Sequence, residues 1–428
     1  MNSPVWNSVP LSSCIDKVID FRGKTPKKIG MEWGNGSIRA LSANNVKQGY
    51  IDFKRECYLA SEELYDAWMT KGDCSKGDIV FTMEAPLGNV ALIPDDNKYI
   101  LSQRVILLKP NESVLSEYLF HFMSSESFQN ELNANATGST AKGIKQTRLV
   151  KLKVTLPPTE EQQKIAEVLS TVDKKIDLID QKIAETEKLK IGLMQKLFSE
   201  GVGVQDENGD WQPHTEFQAS PLGNVPKCWL KVSLENIASV ERGKFSARPR
   251  NDPKYFGGDI PFVQTGDVVN AQLYVESYSQ TLNDLGLTVS KIFPTETILI
   301  TIAANIGDVA ITQFPLACPD SLVGIQAKKD ICDSLWLFFF MQTQKSELDS
   351  KATKSAQKNI NLQVLKPLTI FLPPLEEQEF IAEILLASEK KIALLKQQKA
   401  ETQQLKKGLM QKLLTGEWRV PVEETEAA

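Results

Sequence analysis

The sequence predicts an α+β chain in which one unit is used twice. Two mixed α/β domains are each followed by a long helix, and the two helices are expected to pair as an antiparallel coiled coil about a pseudo-two-fold axis. Three observations predict this. Leu156-Pro157-Pro158-Thr159-Glu160-Glu161-Gln162 recurs as Leu372-Pro373-Pro374-Leu375-Glu376-Glu377-Gln378, an offset of 216 residues. The offset holds without a gap to Gly192-Leu193-Met194-Gln195-Lys196-Leu197 and its copy Gly408-Leu409-Met410-Gln411-Lys412-Leu413, with 26 of 42 aligned positions identical. Such self-similarity marks a duplicated structural unit. Both repeated stretches also carry apolar residues at alternating spacings of three and four, the pattern of a heptad seam.

The expected order is a first domain over residues 1–155, a helix over 156–199, an acidic linker over 200–228, a second domain over 229–371, a second helix over 372–415 and a tail over 416–428. In the first domain the runs 78–82 and 105–108 read as strands and 116–132 as a helix; in the second, 260–264 and 297–302 read as strands and 333–348 as a helix. Frequent turn residues between short β-type runs favour a twisted, mixed or mostly antiparallel sheet. Trp336 to Met341 reads as a buried helix face.

The first long helix is expected to start after Pro157-Pro158, which end the preceding strand, with Thr159 capping and Gln162 completing a capping box. Glu160 and Glu161 put negative charge at the positive end of the helix dipole. Leu375 replaces Thr159 in the second copy, so that cap is expected to be lost. The pairing seam is assigned to Ile165, Leu169, Val172, Ile176, Ile179 and Ile183, and to Ile381, Leu385, Ile392 and Leu395. Lys190 interrupts the first seam, and Lys399 and Lys406 the second. About 40 residues at 1.5 Å each give ~60 Å, too long for one domain to cover. The linker, with Gly201, Gly203, Gly209 and three prolines, is read as irregular, and the tail as frayed.

Several function classes are disfavoured. No stretch reaches the ~18–20 apolar residues of a membrane span, and Met1-Asn2-Ser3-Pro4 does not open a signal peptide. Six scattered cysteines suggest reduced thiols rather than a disulfide frame or zinc site. Two histidines, His121 and His214, leave no room for a His-rich metal centre or a credible Ser/His/Asp arrangement. Gly23-Lys24-Thr25 lacks the first glycine of a P-loop, because Val18 stands at that place, with four residues between it and Gly23. Pro319-Asp320 with Gln326-Ala327-Lys328 lacks a nuclease carboxylate. With no catalytic constellation and no metal or cofactor motif, the chain reads as a binding protein.

The candidate binding residues are basic and lie in paired loops. Arg22, Lys24, Lys27 and Lys28 have a counterpart in Arg242, Lys244, Arg248, Arg250 and Lys254. Gly/Pro loops of this kind let side chains and backbone N–H groups reach phosphates. A second pair of loops precedes the long helices: Ser139, Thr140, Lys142 and Lys145 in the first copy, Gln357, Lys358, Asn359 and Asn361 in the second. Lysine and hydroxyls suit phosphates; Gln and Asn can read base edges, adenine above all.

The helix starts and ends, the closing Leu414-Thr415-Gly416-Glu417-Trp418-Arg419-Val420 and the Gly138-Ser139-Thr140 loop together resemble the specificity subunit of a type I restriction-modification system. The resemblance covers essentially the whole chain, although Lys354 and Asn359 replace Gly138 and Gly143 in the second copy. It implies two target-recognition domains, each reading half of a split double-stranded DNA site. The helices then act as spacer and dock two methyltransferase subunits. Those subunits bind S-adenosylmethionine and methylate adenine; motor-nuclease subunits join for cleavage; the chain itself is non-catalytic and cytoplasmic. Two other readings stay open on the residues alone: a free-standing DNA-modifying enzyme, and a coiled-coil scaffold without a DNA role.

Lys plus Arg total 49 against 54 Asp plus Glu, a net charge of −5. That balance alone argues against nucleic acid. The acidity, however, is concentrated in the linker and tail: the first domain is +2 and the second is neutral. A reader so weakly charged should bind non-specific DNA poorly by itself.

Overall fold

The computed structural model describes residues 6–138, 141–220, 223–303, 305–352 and 359–421. The chain divides into two compact units: Met1–Asp180 with Gln397–Ala428, and Gln181–Lys396. The divisions fall inside the two long helices, Thr159–Leu197 and Leu375–Leu413, so each unit holds one α/β domain, the first half of its own helix and the last half of the other.

In the first unit a four-stranded antiparallel sheet runs in the order Ile15–Asp20, Val105–Pro110, Ile79–Met83, Leu87–Leu92. A smaller mixed sheet joins Leu59–Ala60, Ile38–Leu41 and Tyr99–Leu101. Asn7–Pro10 pairs with Lys153–Leu156, tying the start of the domain to the strand that feeds the long helix.

The second unit repeats the plan. Its main sheet runs Ala238–Arg242, Leu322–Ala327, Ile298–Thr301, Val309–Thr312, Tyr274–Val275, with only the last pairing parallel. Leu230–Ser233 pairs with Thr369–Leu372 as the first unit's tie does. Both sheets carry strands that are apolar on both faces, such as Ile79–Met83 and Ile298–Thr301, because helices or loops cover each side.

The helices expected over 116–132 and 333–348 are each broken in two. Ser116–Ser124 gives way to Glu126–Ala134 at Ser125, whose hydroxyl accepts from Phe128 N and starts a new helix. Ser334–Thr343 gives way to Lys345–Lys351 at Gln344. Trp336 to Met341 are all buried, as the sequence suggests.

The core of the first unit takes Ile165, Ala166 and Leu169 from the start of the first long helix and Met410, Leu413 and Leu414 from the end of the second. The core of the second takes Ile381, Ala382 and Leu385 from the second helix and Met194, Leu197 and Phe198 from the first. A fully buried leucine or isoleucine contributes roughly 1.5–3 kcal/mol, so each domain holds both helices at its end of the pair. Within each unit, helix ends therefore pack on the domain, and residues further along each helix meet the other long helix.

Ion pairs fix the antiparallel sense within each unit. Asp173 meets Lys406 at 2.5 Å and Asp180 meets Lys399 at 2.6 Å in the first. Glu187 meets Lys396 at 3.2 Å, and Lys190 meets Glu389, in the second. The lysines that interrupt the heptads therefore have acidic partners across the seam. Of the seam residues, Ile165, Leu169, Ile179, Ile381, Leu385, Ile392 and Leu395 are buried; Val172, Ile176 and Ile183 are half-buried, since two helices alone cannot enclose every a and d side chain.

Candidate nucleic-acid interface

The repeated Leu-Pro-Pro-x-Glu-Glu-Gln stretch is a junction whose residues have separate tasks. The first intrahelical bond runs from Gln162 N to the Pro158 carbonyl, so Thr159 is already inside the helix and does not cap it. Its replacement by Leu375 therefore removes no cap.

Gln162 completes no capping box either. Its amide donates to the Pro157 and Ser113 carbonyls and its oxygen accepts from Leu115 N, immediately before the helix Ser116–Ser124. Gln378 repeats this toward the Pro373 and Ile331 carbonyls and Asp333 N. Each glutamine thus clamps a domain helix to the foot of a long helix.

The second glutamate of each motif is buried and does more than complement a dipole. Glu161 accepts from Trp6 Nε1 at 3.0 Å and from Arg419 Nε and Nη2 at 2.6 and 2.8 Å. Burial alone would raise its pKa, but the Arg419 and Trp6 hydrogen bonds win and hold it below the ordinary glutamate value. Glu377 accepts from Trp229 Nε1, Val202 N and Gly203 N and meets His214 Nε2 at 3.0 Å. Gly201 sits at φ +72°, and a Cβ there would lie 2.3 Å from the Glu377 carboxylate.

The segment after each long helix therefore folds onto the start of the other one. The linker is not irregular: Val204–Gln205 pairs with Trp211–Gln212, Phe217–Ser220 pairs with Gly223–Pro226, and Trp211 stacks on Phe380. Nor is the described part of the tail frayed, because Arg419 anchors it.

The first basic loop lies at the end of the strand Ile15–Asp20. Arg22 binds Asp20 through Nη2 at 2.6 Å, and this contact overcomes the effect of burial to lower the Asp20 pKa. Lys24 donates to the Ala67 and Trp68 carbonyls, and its ammonium stands over the Phe21 and Trp68 rings, so it is committed within the domain. Lys28 donates to the Gly23 carbonyl, and Lys27 is exposed.

The pre-helix loop comes to the same place. Arg22, Glu84, Thr137, Gly143, Lys145 and Gln146 line one open cleft of about 340 Å³. Thr137 and Glu84 both pair with Gly143 through the backbone. Gly138 is at φ +105°, where a Cβ would strike the Ala141 carbonyl at 2.3 Å. Lys142 is exposed beside it; Ser139 and Thr140 lie outside the described residues. The two basic clusters of the first copy are thus partly merged by the fold.

In the second copy, Arg242 Nε donates to the Asp320 carbonyl and Arg250 binds the Asp320 carboxylate at 2.8 Å. Arg248 donates to Ala247 O, Lys254 pairs with Asp252 at 3.1 Å, and Lys244 is exposed. Phe245 anchors this loop against Tyr255, Phe256 and Phe262. Asn359 pairs through its backbone with Ala303, as Gly143 does with Glu84. Asn361 uses its side chain to accept from Val364 N, capping the helix Leu362–Leu365, which engages the oxygen expected to read a base. Gln357 and Lys358 lie outside the described residues.

His121, a residue the sequence left unassigned, is buried where the helix Ser116–Ser124 meets the long helices. Its Nε2 lies 3.2 Å from Ser170 Oγ and its Nδ1 4.0 Å from Asp173. Burial, helped by Lys406, pushes its pKa down to about 3. In the second unit Lys190 stands over the Phe339 ring and reaches Gln342. Only burial in the fold, not local sequence, reveals these positions. Among the described residues no group of three or more His, Cys, Asp or Glu side chains could hold a metal ion, and no helix is long and apolar enough to cross a membrane.

Comparison with known proteins places this architecture. The type I restriction modification DNA specificity domain matches twice, over residues 6–188 and 226–404. The chain is 31% identical to the MjaX type I restriction enzyme specificity subunit of Methanocaldococcus jannaschii, over 88% of this chain and 86% of that one. It is 29% identical to the MjaVIII specificity subunit of the same organism over 90% of each. The crystal structure of a type I restriction-modification system S subunit from M. genitalium shares the fold, with a TM-score of 0.57 and 14% identity over 96% of this chain and 97% of that one.

Proposed function

The chain belongs to the type I restriction modification DNA specificity family, and from that premise we propose that each of its two domains reads one half of a split double-stranded DNA target. Its role is DNA recognition within a larger complex, and it is non-catalytic. The recognition domains are residues 1–155 and 229–371, the helices 156–199 and 372–415 are the spacer, 200–228 is the linker and 416–428 the tail; Val202 and Gly203 of the linker and Arg419 of the tail hold each helix end to the start of the other. The observation that carries this reading is the repeated plan itself: each unit carries a basic loop at the end of its first sheet strand, and Gly143 and Asn359, just ahead of the long helices, bridge to matching places, Glu84 and Ala303.

The helices dock two methyltransferase subunits, one per unit. Leu178 and Leu405 in the first unit, and Leu189 and Leu394 in the second, are each more than half exposed. These are the same two positions of the repeat, and both copies keep leucine there although it faces water. Exposed aliphatic side chains at matched places suit two equivalent partners. The methyltransferase subunits supply S-adenosylmethionine and the adenine chemistry, and motor-nuclease subunits complete a cytoplasmic restriction complex. The chain's own contribution is the address.

The test is a domain exchange. Residues 1–155 are replaced by those of another specificity subunit, and the host's methylated sites are mapped by single-molecule sequencing. One half of the target is expected to change and the other to stay. A change in both halves overturns the modular reading.

A further inference from the structure

The first domain carries an aromatic platform beside its basic loop. Tyr58 stacks on Trp33 with ring centroids 5.2 Å apart and planes within 7°, yet Tyr58 remains 63% exposed. One face of its ring is covered and the other meets water. Trp33 in turn packs against Trp68 at 5.2 Å, and Trp68 is buried in the domain core. The two segments that bring the rings together are joined by a hydrogen bond from Gly34 N to Leu59 O at 2.7 Å. The outer ring is therefore held by a rigid stack and loses little conformational freedom on contact.

The platform is continuous with the basic loop. Lys24 stands 5.4 Å from the centre of the Trp68 ring, and its bonds to the Ala67 and Trp68 carbonyls fix the loop that carries Arg22, Lys27 and Lys28. Lys71, whose ammonium donates to the Asp20 carbonyl, adds a cation at the same edge. A DNA strand whose phosphates met this loop would bring its bases or sugars within reach of an apolar ring fixed to the same framework. On a duplex, cations hold phosphates, while an apolar ring can meet a thymine methyl at the base edge.

We propose that Tyr58, backed by Trp33, is a DNA contact of the first half-site, making an apolar contact to a base edge in the duplex. The inference rests on the reading of residues 1–155 as a DNA-recognition domain and assigns that domain a specificity-determining residue.

The test uses the full chain assembled with its methyltransferase subunits and a duplex carrying the target mapped by methylome sequencing. Affinity is measured across a range of salt for the wild type, Tyr58→Ala, Tyr58→Phe and the double variant Lys27→Ala with Lys28→Ala. An aromatic contact releases no counterions. Tyr58→Ala is therefore expected to weaken binding about tenfold at every salt concentration, giving a parallel line. Tyr58→Phe should stay within about threefold of wild type, and the lysine variant should flatten the slope. Thermal unfolding of Tyr58→Ala checks that an exposed ring was removed without loss of fold. Affinity within twofold of wild type for Tyr58→Ala overturns the proposal, as does a loss confined to assembly with the methyltransferase. If the wild-type complex itself does not bind the mapped duplex, it is the recognition reading that fails instead.

Discussion

Arg419 donates through Nε and Nη2 to both carboxylate oxygens of Glu161, a residue 258 positions earlier in the chain. Glu161 is 3% exposed at its side chain and Arg419 37%. The pair closes the end of one long helix onto the start of the other, and Trp6, over which the guanidinium also stands, completes it. The second unit does the same work with Glu377 and backbone N–H groups of the linker.

Removing the cation should expose the asymmetry of a buried pair. Arg419→Ala leaves a buried carboxylate with Trp6 as its remaining side-chain donor, and is expected to cost roughly 2–4 kcal/mol, read as a lowered denaturation midpoint. The folded carboxyl titrates below its ordinary value of 4.5. Its stabilisation is thus fully present above that pH and is lost as pH falls through the folded pKa. Denaturant titrations at pH 7 and at a series of steps below pH 4.5 should show wild type and Arg419→Ala converging as pH falls. A constant gap between them would rule out the ionic account.

His121 predicts a second pH dependence with a different window. The folded imidazole is held neutral, with a pKa near 3, among Ser170, Asp173 and Lys406, whereas the unfolded one protonates near 6.5. Stability carried by the neutral ring is present above pH 6.5 and declines as pH falls toward 3. At pH 5 the decline is on the order of 2 kcal/mol. His121→Phe puts an apolar ring there, like the Phe339 ring that meets the long helices in the second unit, and should remove the dependence between pH 7 and 5. Equal losses in both proteins would show that another group is titrating.

Binding should respond unevenly to loss of the second basic loop. Replacing Arg242, Lys244, Arg248 and Arg250 by Ala is expected to weaken DNA binding by the assembled complex and flatten its salt dependence. Arg242 and Arg250 are both drawn to Asp320, so restoring Lys244 and Arg248 alone should recover most of the slope. An unchanged slope in the fourfold variant would exclude this loop from the phosphate contacts.

The repeat made the architecture legible before any coordinates, because periodicity and duplication are properties of sequence. The long helices, their seam residues Leu169, Ile179, Leu385 and Ile392, and the buried Trp336–Met341 face could be read directly. The roles of Glu161 and Gln162 could not. Their partners lie far away in sequence, and a local motif looked like ordinary capping chemistry. Asn361 misled for the same reason, since an amide suited to a base edge is equally suited to a helix N-cap. Tyr58 left no sequence signal at all, because only the fold stacks it on Trp33.

The proposed spacer role of the helices gives a further prediction. Asp173–Lys406 and Lys190–Glu389 are the same pair of repeat positions, used once in each unit, and each sets the antiparallel register within its own unit. Along each helix, the points after Gln181 and after Gln397 fall between the ion-paired residues of one unit and those of the other. Seven residues inserted after both therefore lengthen the two helices together while every ion pair within each unit keeps its partner. One heptad adds about 10 Å at 1.5 Å per residue. At 3.4 Å per base pair, the gap between half-sites should grow by about three base pairs. The half-sites themselves should not change, since neither recognition domain is touched. Methylome mapping of a host carrying the double insertion reads both quantities at once. An unaltered gap would mean that the domains, not the helices, set the spacing.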